Sequence, residues 1–138
     1  MKRESTLRGA LWCAALFNTG GAFLFAFPDS SVSQLVGLPP MVPIVYRSFV
    51  AFFILLFAGA YVWLASHRPI VKPFVVFGTL GKAGAFLLTL ALWFAGNVSW
   101  RGVLVGSGDL ILAATFFWCI VGTRQSAQAA RTLESRAS

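Results

Sequence analysis

The sequence predicts an all-α integral membrane protein, one domain over 1–138, folded as a four-helix up-down bundle with both termini in the cytoplasm. Three observations carry this. Apolar windows at about 9–27, 44–66, 74–96 and 102–122 hold 19, 23, 23 and 21 residues. Those lengths suit a hydrocarbon core of about 30 Å at about 1.5 Å of rise per residue. All six prolines fall between the windows and twelve of the thirteen glycines within them, the partition expected of helices that pack closely in lipid. Finally, the basic residues alternate by side: Lys2, Arg3, Arg8, Arg68, Lys72, Arg124, Arg131 and Arg136 collect on one side, against Arg101 alone in the connections opposite.

Composition agrees: at 58% hydrophobic, 11% charged and a mean hydropathy of +0.79, the chain is too apolar for a soluble domain of its length. The net charge of +7 lies at the ends of the apolar windows, not on one polar face. That pattern sets topology and contacts anionic lipid; it argues against nucleic acid as a partner.

Residues 1–8 form a basic lead with a single acid, Glu4. The following apolar run lacks a lipobox before Cys13 and a small-x-small site before Pro28, so it is expected to be an uncleaved first helix. Residues 28–43 form a connection in which Pro28, Pro39, Pro40 and Pro43 stop helices. Span two follows with Arg47 near its start, then a tight basic turn, 67–73, then span three. Residues 97–101 make so short a turn that spans three and four must be antiparallel neighbours, and 123–138 is expected to be a polar, frayed tail. Trp12, Trp63 and Trp118 fall toward one surface and Trp93 and Trp100 toward the other, as interfacial belts would. Gly21-Ala22-Phe23-Leu24 recurs as Gly84-Ala85-Phe86-Leu87, an offset of 63 that would mark a duplicated hairpin.

The functional expectation rests on polar residues inside the windows. A central Lys or Asp costs roughly 2.5 to 3.5 kcal/mol on insertion scales, so such groups face the bundle interior and pair or act there. Counting rise, Lys82 lies roughly 12 Å and Asn18 roughly 13 Å from the cytoplasmic edge, and Asp109 roughly 10 Å and Arg47 roughly 5 Å from the outer one. Lys82 and Asp109 can therefore pair. Helical spacing puts Arg47, Ala51, Ile54, Ala58 and Tyr61 on one row, Leu11, Ala14, Asn18, Gly21 and Phe25 on another, Gly78, Lys82, Ala85 and Thr89 on a third, and Gly102, Gly106, Asp109 and Ala113 on a fourth. With Ser107 and Tyr46 as second members, Asn18, Arg47, Lys82 and Asp109 would line a pocket of excess positive charge suited to a small amphiphilic or anionic ligand. Two further readings are a proton-coupled transporter subunit in which Asp109 cycles against Lys82, and a non-catalytic assembly partner in a homo-oligomer or larger membrane complex. The alternative for the charges themselves is structural: Arg47 reaching outer head groups, and Lys82 with Asp109 fixing helix register.

No serine or cysteine stands beside a histidine base, and there are no paired carboxylates and no phosphate loop, so no enzyme is expected. Cys13, Cys119 and His67 do not make a metal site, both thiols are expected to be buried and inert, and no cofactor is implied. An arginine opening span two ahead of a glycine near its end (Arg47, Gly59), a lysine in span three (Lys82) and four helices on short turns resemble the small DoxX-like proteins of the bacterial inner membrane. The resemblance covers most of the chain and implies a fold and a compartment, not an activity. Span one has no acid, unlike that of the small multidrug transporters.

Overall fold

The computed structural model describes the backbone at 2–37 and 42–137, and side chains at 3–37 and 42–122. Every regular element among these residues is helical: α1 (Lys2–Ala26), α2 (Ser31–Val36), α3 (Ile44–Ser66), α4 (Lys72–Phe94) and α5 (Trp100–Ala137). Four stretches are long and apolar enough to cross a membrane: Arg3–Ala26, Ile44–Ser66, Lys72–Phe94 and Trp100–Gly122.

Local chemistry explains where the boundaries depart from expectation. The basic lead is helical, because Glu4 and Arg8 pair one turn apart at 2.8 Å and nothing in it breaks a helix. Pro73 stands in the first turn of α4, where its missing N–H removes no helical bond. At the other end of α4, Gly96 takes φ 76, its N–H donates to the Trp93 carbonyl and that of Asn97 to the Leu92 carbonyl, both at 2.9 Å. This paired closure needs a left-handed residue, which glycine supplies without strain, and it ends the helix at Phe94 although the apolar window runs on to Gly96. The tail expected to fray is helical through Ala137: residues 123–137 contain no Gly or Pro and are rich in Ala, Arg and Gln. The side chains of Arg124, Arg131 and Arg136 lie outside the described residues, as do Pro39 and Pro40.

The connection at 28–43 holds one helix that the apolar pattern does not announce. Ser30 caps α2 by accepting from the Ser33 N–H at 3.3 Å, and Gly37 closes it at φ 78. Ser33 is fully buried, its hydroxyl 2.8 Å from the Phe27 carbonyl and 3.1 Å from that of Leu24, so it ties α2 to the end of α1.

The long helices pack unevenly. α1 lies closely against α3 and more lightly against α5, and α5 lies closely against α4. α3 and α4 approach through rings: Phe57 stacks on Phe77 with centroids 6.0 Å apart, and Trp63 meets Phe74 edge-on at 6.0 Å. The core sits at the end where α1 begins, built from Leu7, Leu11, Tyr61, Leu64, Val75, Phe116 and Cys119 among others. Cys119 is buried as expected; Cys13 is exposed, because it lies one residue before the buried row at Ala14 and Ala15 and points outward.

The proposed duplication has a counterpart in the close pairing of α1 with α3 and of α4 with α5, but not in the surroundings of the matched residues. Gly21 faces Ile54, and a Cβ there would lie 3.6 Å from it, whereas Gly84 faces open space; Ala51 is buried and Ala114 exposed, Phe53 exposed and Phe116 buried. Close packing is likewise selective among the glycines. A Cβ on Gly106 would touch Thr89 at 3.3 Å, while Gly81, like Gly84, has nothing within 4 Å.

Candidate functional site

Three of the four polar residues singled out from the sequence meet around Lys82. Its row on α4 begins at the buried Gly78, and the side chain, 3% exposed, reaches inward past α5 to α1. Nζ donates to Asp109 Oδ1 at 2.6 Å and to Asn18 Oδ1 at 2.9 Å. Asn18 in turn donates from Nδ2 to the Ile54 carbonyl at 3.4 Å, so a single ammonium group links all four long helices. An ammonium has three protons and no acceptor; two meet oxygens, and the nitrogen also lies 5.2 Å from the Phe17 ring centroid and 5.4 Å from that of Tyr61. The negative ring faces and the carboxylate together replace the water that burial removes.

The two rings have glycine seats. A Cβ on Gly108 would lie 2.5 Å from Phe17 Cε2, and one on Gly78 would lie 2.9 Å from Tyr61 Cε1. Gly108 precedes Asp109 and Gly78 stands one turn before Lys82, so the backbone that presents each charge also admits the ring beside it. Tyr61 Oη donates to the Gly78 carbonyl at 3.5 Å, holding its ring on that seat. Sequence reasoning placed Tyr61 on the correct row but assigned it no part, and it did not single out Phe17 or Gly108. The usable signal was the glycine beside each buried charge.

Asp109 is the less enclosed partner, with 20% of its side chain exposed. Among the described residues it takes one hydrogen bond, at Oδ1, which leaves its other oxygen able to accept. The centre carries one cation and one anion and is neutral.

Arg47 does not join it. The arginine shares the inward row of α3 with the buried Ala51, Ala58 and Tyr61 and is itself half-buried. It lies seven residues before Ile54, about 10 Å along the axis, so it stands apart from the lysine centre and does not touch the Lys82–Asp109–Asn18 cluster. Among the described residues its side chain has no hydrogen bond or ion pair. The second members also stand elsewhere: Tyr46 is 66% exposed, and the Ser107 hydroxyl donates to the Leu104 carbonyl of its own helix at 2.6 Å. Two open grooves run along the outward face of α3, one at Ile44, Val45, Ser48, Phe49 and Phe52, the other from Phe52 to Trp63; neither includes the lysine centre. Among the described residues no three His, Cys, Asp or Glu side chains converge as a metal site would require.

Comparison of the chain with protein-family models, with curated proteins and with solved structures gives no match.

Proposed function

We propose that the chain is a multi-pass protein of the bacterial inner membrane, with both termini in the cytoplasm, that holds the polar end of a small amphiphilic ligand at the lysine centre. Four apolar helices of spanning length support the membrane reading, as does an outer surface of large exposed side chains such as Leu16, Leu80 and Ile111, which water would not tolerate over so wide an area. The exposed Trp12, Trp63 and Trp118 near one end and Trp93 and Trp100 near the other fit interfacial belts.

The observation that carries the ligand reading is the asymmetry of the pair: Lys82 is sealed, while Asp109 keeps an accessible oxygen. A neutral centre presenting a carboxylate takes hydrogen-bond donors, a hydroxyl or an amine. An anionic group on the same molecule would sit about 10 Å farther along, by Arg47. Lipid and metabolite extracts of the gently purified protein, read by native mass spectrometry, test this. Arg47→Leu is expected to abolish retention of a co-purifying molecule while leaving the melting temperature within a few degrees, and so is the charge-free Lys82→Met/Asp109→Leu variant, since Asp109→Ala alone would strand the sealed lysine; retention unaffected by both variants defeats the proposal.

The Lys82–Asp109 contact also favours a second reading, in which Asp109 carries a proton in a coupled transporter subunit. Proton flux in proteoliposomes unchanged by Asp109→Asn removes it.

A further inference from the structure

We propose that the α3–α4 turn and the aromatic seam beside it bind one anionic phospholipid, its phosphate on Arg68 and Lys72 and an acyl chain along Trp63, Phe74 and Phe77. The inference rests on the membrane reading above but not on the lysine centre.

The cations at this end of the bundle are not equivalent. Arg8 donates to the Ala65 carbonyl at 2.5 Å and to Glu4 at 2.8 Å. Arg3 lies with its guanidinium carbon 5.1 Å from the Trp118 ring centroid. Arg68 and Lys72 are exposed and, among the described residues, make no hydrogen bond or ion pair. Glu4, the acidic side chain described at this end, is within electrostatic reach of Arg68 but is already bonded to Arg8. Two cations four residues apart on one turn thus present a concentrated positive field that, among the described residues, only the Arg8-bound Glu4 is near enough to offset.

The apolar half of the site comes from the uneven packing. Because α3 and α4 meet through rings, their seam is wide and its rings stay open to the outside: Trp63 is 48% exposed, Phe74 54% and Phe77 59%. Trp63 stacks on His67 at 4.9 Å between centroids, which brings the seam to the edge of the basic turn. A phospholipid with an anionic head group is the occupant that matches both parts, a charge at the turn and a chain along the rings. A free phosphate would use the turn alone.

The test is native mass spectrometry of the full chain released from nanodiscs of equal phosphatidylglycerol and phosphatidylcholine. Roughly tenfold preferential retention of phosphatidylglycerol is expected, falling to near parity in an Arg68→Gln/Lys72→Gln variant. Phe77→Ala is expected to lower total lipid retention without removing the preference, with a thermal melt confirming that it folds. Equal retention of the two lipids, an unchanged preference in the double variant, or displacement of the lipid by excess inorganic phosphate would each overturn the assignment. The Lys82→Met/Asp109→Leu variant is expected to keep the phospholipid, so failure at the lysine centre is read separately. Recovery of the protein in the soluble fraction would instead sink the membrane reading itself.

Discussion

Lys82 keeps a charge in an apolar interior because four neighbours solvate it, and that arrangement has consequences for substitution at each of them. Lys82→Met leaves Asp109 without its cation in a mostly enclosed position, and a loss of about 3 kcal/mol is expected in a detergent unfolding titration. A Lys82→Met/Asp109→Leu variant should recover most of it, since an apolar pair needs no solvation; a double variant as unstable as the single one would show that the pair is not the source. The glycines offer a sharper contrast. Gly108→Ala drives a methyl into the Phe17 ring and Gly78→Ala into Tyr61, so each is expected to destabilise by about 1 to 3 kcal/mol. Gly84→Ala faces open space and removes a poor helix former, so it is expected to stabilise by up to about 1 kcal/mol. A ranking in which Gly84→Ala is the worst of the three would contradict the packing described here. Much of this was legible: the polar residues Asn18, Lys82 and Asp109 and their helical rows. The rings were not, because nothing in a row of apolar residues says which phenylalanine will meet a cation.

At the level of elements, the chain's end-to-end contacts are made by side chains that look incidental in the sequence. Arg8, read from the sequence as one of several topology-setting cations, closes the end of α3 by donating to the Ala65 carbonyl, one of the last carbonyls of that helix, which lack helical partners. Arg8→Met is therefore expected to cost about 1 kcal/mol and to speed hydrogen exchange at the C-terminal turn of α3, an effect a purely topological residue would not have. α2 depends in the same way on Ser33: Ser33→Ala removes the only described side-chain hydroxyl reaching the Leu24 and Phe27 carbonyls, and α2 amides are expected to exchange faster while those of α1's first turns do not. This helix was invisible to hydropathy because it is six residues long, too short for a periodic signal, though Ser30 and Gly37 supply its start and stop.

At the scale of the molecule, the dry core lies at the end where α1 begins, and the lysine centre lies next to it along the bundle. In the proposed membrane setting this places a well-packed cytoplasmic half beneath a looser half that a ligand can enter from outside. Cysteine labelling in intact cells checks the orientation: Asn97→Cys should react with an impermeant maleimide and His67→Cys should not, and the reverse pattern would invert the topology.

What the sequence determined by itself was the number and type of the long helices, their approximate limits and the pairing of Lys82 with Asp109. Hydrophobic length and helical period are properties of a segment alone, and a buried cation and anion at similar depth have few other partners. The tertiary structure alone decided that Arg47 stands outside the centre, that Phe17 and Tyr61 complete it, and that α3 and α4 meet through rings rather than backbone. Those outcomes depend on how four helices rotate and tilt against one another, and that is set by the summed fit of many small side chains, which no single segment encodes.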